Sequence, residues 1–196
     1  MAVKELPPQY NPKEVEDKIY RMWEKSGFFN PDKLPVSNLK PKAFSIIMPP
    51  PNASGALHIG NAVFVTLEDI MIRFQRMRGK KTLWLPSTDH AGIETEYTYR
   101  KKIEKEGRRW GEVPRDQLYQ DIYDFTQKNK VLVENQLRKL GASCDWSREK
   151  FTLDPDIVAE VQKTFVEMHK DGLIYRGLRI VNWSVKDQTA LSDLEI

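Results

Sequence analysis

The chain has 196 residues, of which 40% are hydrophobic and 30% are charged, so it has enough apolar side chains for a buried core and is not disordered by composition. Its formal net charge is only +3, which is too small to indicate nucleic-acid binding from charge alone. The single cysteine, Cys144, excludes an internal disulfide and a cysteine-rich zinc site. A lone thiol fits a reducing compartment, and no apolar run approaches the roughly 18 residues of a membrane span, so we expect a cytoplasmic protein with no membrane partner.

The first predicted element is a helix that begins at Pro12. Residues 1–11 should be irregular because they are rich in proline. Asn11 is suited to cap the helix and Gly27 to end it, and a loop should follow over residues 28–42. The expected apolar face of the helix consists of Val15, Ile19, Met22 and Trp23.

A strand, a turn, a second helix and a second strand are predicted next. Residues 43–48 are apolar enough for a buried strand, and residues 82–85 for another. Between them a helix should run from about Ala62 to Arg78 and end at Gly79. This order predicts two parallel strands joined by a right-handed crossover. The expected apolar face of the helix consists of Leu67, Ile70, Met71, Phe74 and Met77.

Three more helices are predicted in the remainder of the chain. They cover about residues 95–105, residues 114–140, and a segment that begins at Pro155 and ends at Gly172. Residues 173–183 alternate well enough for a strand or a hairpin. No closing element follows, and one strand–helix–strand unit does not complete a doubly wound sheet, so we expect an N-terminal piece of a longer protein.

The turn PPPNASGALHIGNA, residues 49–62, lies between the first predicted strand and its helix. In a parallel α/β unit this is the edge where ligands bind. A helix N-terminus there offers N–H groups without intrahelical partners, and Gly55 and Gly60 allow close approach of a phosphate. The sequence therefore predicts a nucleotide site, with a purely structural loop as the alternative.

The side chains of this turn indicate which kind of nucleotide site it could form. The glycine spacing resembles the first part of a Walker loop, but Asn61 and Ala62 stand where that loop has lysine and Ser or Thr. A P-loop kinase or ATPase is therefore disfavoured. His58 and Asn61 remain as the side chains that can donate hydrogen bonds to phosphate oxygens.

Several segments then carry a resemblance to a known family. Residues 51–61, PNASGALHIGN, resemble the HIGH signature of the class I aminoacyl-tRNA synthetases. WLPSTDHAGIET at 84–95, LGASCDWSREKFTLD at 140–154 and the region 172–195 are similar to the valyl-tRNA synthetases within that class, and so is the segment 10–29. The likeness covers nearly the whole chain.

The resemblance implies an α/β fold that comprises the first half of a Rossmann-like, class I synthetase nucleotide-binding domain. By this resemblance, residues 1–42 are an N-terminal extension with one helix, residues 43–150 are the first half of the catalytic domain, and residues 151–196 lead into the connective-peptide insertion that carries editing. The second signature of the class, KMSKS, is not in these residues. We therefore expect the isolated chain to bind ATP weakly and to catalyse little or nothing.

The resemblance also implies an activity and its partners. The full enzyme is expected to activate valine with ATP, bound with Mg²⁺, to transfer valine to tRNA(Val), and to edit misactivated threonine. It is expected to be monomeric.

Roles for individual residues follow from the same resemblance. The catalytic residues are His58 and Asn61. The ATP-binding residues are Pro51, Gly55, His58, Gly60 and Asn61. The amino-acid-binding residues are Pro50, Asn52 and Asp89, of which Asp89 holds the α-ammonium group. A cap or turn role for Asp89 is the alternative, and His90 either orients Asp89 or is structural.

Two departures from the family pattern bear on these expectations. Asn61 replaces the second histidine of the signature, which keeps a hydrogen-bond donor but loses a titratable group, so similar or reduced function is expected. Near the C-terminus, Ser184 and Asp187 stand where the family often has the C-x-x-C of a zinc site, so no zinc or other resident metal is predicted.

Two other functions stay open. A synthetase for isoleucine or leucine is disfavoured, because residues 88–90, Thr-Asp-His, stand where those relatives carry a GWDxxG-like string. A non-catalytic RNA-binding or regulatory module is supported only by the departures at Asn61, Ser184 and Asp187. The basic cluster Arg73, Arg76, Arg78, Lys80 and Lys81 is either a solvated helix end or a contact with tRNA.

Overall fold

The structure is a computed structural model in which residues 9–34 and 42–193 are described. Expectations for residues 1–8, 35–41 and 194–196 lie outside the described residues. The chain divides into two compact units, Met1–Asp154 and Pro155–Ile196. The three-part division made from the sequence stays a prediction. Among the described residues, no helix combines the length and apolarity that crossing a membrane requires.

The first helix, α1, spans Pro12–Ser26 and has the predicted ends. Gly27 follows it with φ 78°, a left-handed conformation that suits glycine, and its N–H donates to the Glu24 carbonyl. Asn11 precedes the helix, but its side chain does not cap it and instead donates to the Glu14 carboxylate.

The buried face of α1 differs from the predicted one. Tyr20 is buried, whereas Met22 is 61% exposed. The Tyr20 hydroxyl donates to the Ala142 carbonyl at 2.7 Å and accepts from Trp146 Nε1 at 2.7 Å. These two hydrogen bonds turn the tyrosine side of the helix inward, which hydrophobic spacing alone did not reveal.

The predicted strand–helix–strand unit is present. Strand β1 is Ala43–Ile47, helix α2 is Ile59–Met77 and strand β2 is Lys81–Leu85. The two strands are parallel, as predicted, with Ser45 opposite Leu83. Helix α2 begins three residues earlier than expected because His58, rather than a later residue, caps it.

Helix α2 also buries the opposite face from the one predicted. Val65 and Ile72 are fully buried, whereas Leu67 and Ile70 are more than half exposed. The buried side also carries Asp69, whose carboxylate accepts hydrogen bonds from Ser143. Polar contacts to a distant loop therefore select the inward face together with apolar burial. The core on this side consists of Met48, Val65, Ile72, Trp84, Val133, Leu137, Ala142 and Cys144.

A short parallel pairing that was not predicted extends this unit. Strand β3, Ser87–Thr88, pairs with strand β4, Lys150–Phe151. The Asp145 N–H donates to the Trp84 carbonyl, and the Thr152 N–H donates to the Thr88 carbonyl. Residues 81–89 consequently run between the segment that contains β1 and the segment around β4, which brings Thr152 beside Asp89.

Two helices complete the first unit. Helix α3 is Ile93–Lys105 and helix α4 is Arg115–Lys139, each within two residues of its predicted ends. Short 3₁₀ helices occur at Trp110–Glu112 and Trp146–Arg148. Gly141, with φ 80°, follows α4 as expected.

The second unit contains helix α5, Pro155–Lys170, and an antiparallel pair of strands, β5 Asn182–Ser184 and β6 Thr189–Leu191. The helix was predicted. The strand or hairpin predicted over residues 173–183 is wrong for most of its length, since residues 173–181 form no strand. The hairpin lies further along because its turn is closed by polar groups: the Ser184 hydroxyl donates to Asp187, whose N–H donates back to the Ser184 hydroxyl.

Candidate active site

Two loops meet where the parallel strands end. After β1 the chain continues through three prolines to Asn52, and after β3 it continues to Asp89. Asn52 and Asp89 form a parallel bridge, in which the Ala53 N–H donates to the Asp89 carbonyl at 2.7 Å and the Asp89 N–H donates to the Pro51 carbonyl at 2.9 Å. The signature turn and the Asp89 loop are therefore held together by backbone hydrogen bonds.

His58 is the N-cap of α2. Its Nδ1 accepts a hydrogen bond from the Gly60 N–H at 3.1 Å, and the Asn61 Oδ1 accepts from the His58 N–H at 3.1 Å, which is a reciprocal capping box. Because Nδ1 is an acceptor here, the neutral imidazole carries its proton on Nε2. His58 Nε2 and the amide nitrogen of Asn61 are thus donors that the cap leaves available.

The backbone N–H groups of this turn are less available to bind a phosphate than the sequence predicted. The Leu57 N–H donates to Gln136 Oε1 at 2.8 Å, and the Asn61 N–H donates to the His58 carbonyl at 3.0 Å. With the His58 and Gly60 N–H groups used in the cap, the main-chain donors from 57 to 61 that the expectation relied on are largely engaged by the protein itself. An anion at this helix end would meet the two side-chain donors and the helix dipole first.

The structure requires glycine at one of the two glycine positions of the signature and not at the other. A Cβ on Gly60 would lie 2.9 Å from the imidazole Cε1 of His58, so glycine is needed there for the cap to form. A Cβ on Gly55 would have nothing within 4 Å. Gly55 therefore faces open space, which is compatible with a ligand but does not require one.

A cavity of about 250 Å³ collects most of the predicted site residues. Its lining includes the predicted residues Pro50, Pro51, Asn52, Gly55, His58 and Asn61, together with Glu94. Gly60 and Asp89 are not part of that lining; Asp89 adjoins it through the bridge to Asn52.

Asp89 is held by a threonine hydroxyl. Thr152 Oγ1 donates to Asp89 Oδ1 at 3.0 Å and accepts from the His90 N–H at 2.9 Å. His90 Nδ1 lies 2.6 Å from the same hydroxyl. Since a hydroxyl has one proton to donate, and here it goes to Asp89, the imidazole donates from Nδ1 and leaves Nε2 as an acceptor. His90 and Asp89 are thus linked mainly through Thr152, their own Nδ1–Oδ1 separation being 3.4 Å.

The turn that follows Asp89 is tight. Ala91 has φ 57° and Gly92 has φ 42°. The left-handed conformation costs a residue with a Cβ about 1–2 kcal/mol. The Thr95 hydroxyl supports the turn by donating to the His90 carbonyl at 2.6 Å. The turn starts α3 close to the signature loop and places Glu94 in the first turn of that helix.

Glu94 and Thr152 contact predicted site residues, and the sequence did not indicate either contact. Glu94 accepts hydrogen bonds from the Asn52 amide and from the Ser54 hydroxyl. These partners lie 42 and 40 residues away in the chain, and Thr152 lies 63 residues from Asp89. No local pattern joins residues at such separations. The signal that was present is the occurrence of each residue within a segment that carries the family resemblance.

The basic cluster around the end of α2 is largely engaged within the protein. Arg73 contacts Asp69 at 2.5 Å and donates to the Gly141 carbonyl, and Arg76 donates to Ser143. Lys81 pairs with Asp32 at 2.6 Å. Burial lowers the pKa of Arg76 from its ordinary value. These contacts support a structural role for Arg73, Arg76 and Lys81 over a tRNA contact.

No group of three or more His, Cys, Asp or Glu side chains is placed to hold a metal ion within the part of the chain that the structure describes. Cys144 is buried, and burial raises the pKa of its thiol far above the ordinary value. This thiol is therefore a packing group rather than a nucleophile. The absence of a bound zinc stays a prediction, and one zinc per chain in metal analysis of the purified protein would contradict it.

Known proteins with similar sequences belong to one family of enzymes. A family model described as tRNA synthetases class I (I, L, M and V) matches residues 18–196. The chain is 48% identical over 181 residues to the chloroplastic/mitochondrial valine–tRNA ligase 2 of Arabidopsis thaliana, covering 92% of this chain and 18% of that protein. It is 47% identical over 194 residues to the valine–tRNA ligase of Clostridium acetobutylicum, covering 98% of this chain and 21% of that protein.

A solved structure of a class I synthetase has a similar fold. The LeuRS of Agrobacterium radiobacter K84, in a ternary complex described as LeuRS-tRNA-LeuAMS, matches with a TM-score of 0.73 and 27% identity, covering 94% of this chain and 21% of that one. The chain thus spans about a fifth of the length of these relatives. The predicted α/β, partial Rossmann-like fold is confirmed. Because the family model covers nearly the whole sequence, the chain belongs to the class I tRNA synthetases.

Proposed function

We propose that the protein to which this chain belongs is a valine–tRNA ligase. In this function, valine and ATP react to give valyl-adenylate and pyrophosphate, and the valyl group then passes to tRNA(Val). The observation that carries the proposal is the cavity lined by the helix-capping His58 and Asn61 together with Asn52, with Asp89 bridged to Asn52. The identities of 42–48% with valine–tRNA ligases support valine as the amino acid.

The proposed chemistry of the first step uses donors that the cap leaves available. Attack by the valine carboxylate on the α-phosphate builds negative charge on the phosphate oxygens. His58 Nε2–H and the Asn61 amide can donate to those oxygens, next to the positive end of the α2 dipole. Removal of one such donor from an acyl-transfer site costs about 100-fold to 1,000-fold in rate.

The proposed amino-acid contact is an ion pair between Asp89 and the α-ammonium group. Thr152 holds one carboxylate oxygen of Asp89, and Asp89 Oδ2 makes no hydrogen bond among the described residues. A carboxylate that is preorganised in this way binds an ammonium group and rejects an analogue without one.

The remaining parts of the proposal are the partners and the location. We include ATP bound with Mg²⁺, valine and tRNA(Val) as ligands, editing of threonine, a monomeric state and a cytoplasmic location. Support for tRNA as a partner comes from the family and from the LeuRS complex, whose description names tRNA.

The test is amino-acid-dependent exchange between ATP and pyrophosphate by the protein in its full-length form. We expect exchange with valine, weaker exchange with threonine and isoleucine, and none without an amino acid. Preference for isoleucine or leucine would assign the sister specificity, and no exchange with any amino acid would overturn the enzymatic proposal in favour of a non-catalytic module.

A second measurement tests the prediction for the isolated chain. Residues 1–196 alone should show little or no exchange, because the family's KMSKS signature is not among them. Valine-dependent exchange at a rate close to that of the full-length protein would contradict this.

A further inference from the structure

Glu94 contacts the wall of the proposed amino-acid pocket through both of its carboxylate oxygens. Glu94 Oε2 accepts from the Asn52 amide nitrogen, and Glu94 Oε1 accepts from the Ser54 hydroxyl at 2.9 Å. The carboxylate thus joins the first turn of α3 to the loop that carries Asn52. All three side chains are at least partly exposed, so these hydrogen bonds add little to folding stability.

The contact determines which way the Asn52 amide points. An ionised carboxylate can only accept hydrogen bonds. Asn52 must therefore direct its NH₂ group towards Glu94, which turns its Oδ1 the other way. Among the described residues, no donor contacts Asn52 Oδ1, so this oxygen is available as an acceptor.

The available oxygen lies on the same side of the structure as Asp89. Asn52 and Asp89 are bridge partners, and residues paired across neighbouring strands project their side chains to the same face. Asp89 Oδ2 is likewise without a partner among the described residues. Two acceptors, one charged and one neutral, therefore belong to side chains that project to the same face, which suits a ligand group that carries several N–H donors.

We propose that Glu94 is a positioning residue that fixes the Asn52 amide so that Asn52 Oδ1, together with Asp89, accepts hydrogen bonds from the α-ammonium group of the amino acid. This inference rests on the proposed function. It assigns a task to a residue outside the family signatures, and it makes recognition of the ammonium group depend on a second carboxylate that does not touch it.

The matched variants are Glu94→Gln and Glu96→Gln, which remove the same charge from the same helical turn. Glu96 lines a different cavity, next to Trp110 and Tyr119. A glutamine at position 94 can donate to Asn52 Oδ1, so the amide can turn over and present NH₂ to the ammonium group, which is repulsive. We expect E94Q to raise the KM for valine about tenfold, equivalent to about 1.4 kcal/mol, with kcat changed less than about twofold.

The ligand comparison separates this role from a purely structural one. Valinol keeps the ammonium group and lacks the carboxylate, whereas 3-methylbutanoate keeps the carboxylate and lacks the ammonium group. Measured as inhibitors of exchange, valinol should weaken with E94Q as valine does, and 3-methylbutanoate should be unaffected. Equal weakening of both compounds, or equal effects of E94Q and E96Q, would overturn the inference.

A double variant supplies the rescue. In E94Q/N52D the aspartate accepts from the glutamine NH₂ and directs its other oxygen to the pocket, so the original arrangement of acceptors returns with the charge exchanged. We expect the KM for valine to fall back towards that of the unmodified protein, while N52D alone, which sets two carboxylates against each other, stays weak. A double variant no better than its weaker parent would contradict the proposal.

The outcomes distinguish this inference from the proposed function. If the unmodified full-length protein shows no valine-dependent exchange, the proposed function fails. If that protein is active but E94Q has the same KM for valine, only this inference fails.

Discussion

The two ends of α2 are held in different ways. At the N-terminal end, the cap hydrogen bonds join residues no more than three positions apart, His58 with Gly60 and Asn61 with His58, and His58 is exposed. In the second half, Asp69 accepts from the Ser143 N–H at 2.9 Å, and Arg73 donates to the Gly141 carbonyl at 2.8 Å. Those partners lie 74 and 68 residues away in the chain.

We expect this difference to separate function from stability along one helix. Long-range contacts between half-buried groups carry folding energy, because breaking them leaves buried polar groups without partners. A local cap costs less to lose and leaves donors on the side of the cavity. We therefore expect changes at the first turn to affect the reaction and changes in the second half of the helix to affect unfolding.

The largest expected effect on valine-dependent exchange is that of replacing His58. Replacing His58 with alanine should lower valine-dependent exchange by about 100-fold or more, because the Nε2 donor is lost. The lost cap should reduce the free energy of unfolding by only about 1 kcal/mol. Exchange kinetics and denaturant unfolding of the same preparation measure both quantities.

His58→Asp is the control for this variant. Aspartate caps a helix well but offers no donor when ionised. Stability should return while exchange stays low. Recovery of exchange in the aspartate variant would mean that His58 acts through the cap alone.

The next largest effect is at Asp69. Asp69→Ala leaves the Ser143 N–H and hydroxyl without their acceptor and leaves Arg73 without its carboxylate. We expect the free energy of unfolding to fall by about 2–4 kcal/mol. At a temperature where the variant is folded, its KM for ATP should be unchanged. Loss of exchange without loss of stability would contradict the expectation that this half of α2 affects unfolding rather than the reaction.

A smaller effect, with a defined pH dependence, is expected at Glu68. Trp84 Nε1 donates to Glu68 at 2.9 Å, and partial burial raises the pKa of this carboxyl from its ordinary value, against the effect of that hydrogen bond. A raised folded-state pKa means that the protonated form favours folding, so this contribution is present at low pH and is lost as the pH rises through the folded-state pKa.

Glu68→Gln keeps an acceptor for Trp84 and removes the partly buried charge. The variant should raise the Tm at pH 7 by about 2 °C or less, and its advantage should vanish below the folded-state pKa, where the glutamate is itself protonated. Thermal scans at pH 4 and pH 7 measure this. A variant that is less stable at pH 7 would show that the charge is favourable where it lies.

The smallest effect is expected for Asn61→His, which introduces the second histidine of the family signature. Histidine retains an acceptor for the His58 N–H and a donor towards the cavity. Valine-dependent exchange should change less than about twofold, which corresponds to about 0.4 kcal/mol. A larger change in either direction would show that the titratable group at this position matters, and the pH profile of exchange would show whether protonation is the cause.

Much of the local structure was predictable from the sequence. Pro12 and Gly27 mark the ends of α1 because proline suits a first helical turn and glycine suits a left-handed end. The parallel pairing of β1 and β2 followed from the order of strand, helix and strand. The functional roles of His58 and Asn61 stay predictions. Their capping box was not predicted, and this error moved the start of α2 by three residues.

The faces of the helices were less predictable. Hydrophobic spacing identified an apolar face on α2, but the residues that are buried, Val65 and Ile72, lie on the opposite side. An amphipathic pattern indicates a face that prefers burial without indicating which neighbour covers it. On α1, the hydrogen bonds of Tyr20 with Ala142 and Trp146 decided the orientation.

The sequence by itself determined most helix ends, the parallel unit and the position of the signature turn, because these depend on backbone preferences and on contacts within a few residues. Only the tertiary structure decided that Thr152 holds Asp89 and that Glu94 holds Asn52, across separations of 63 and 42 residues. The physical reason is that each of these contacts requires β3 to lie beside β4, or the tight turn at Ala91 to direct α3 back to the signature loop. Such placements arise from packing of the whole unit and leave no periodic pattern in the chain.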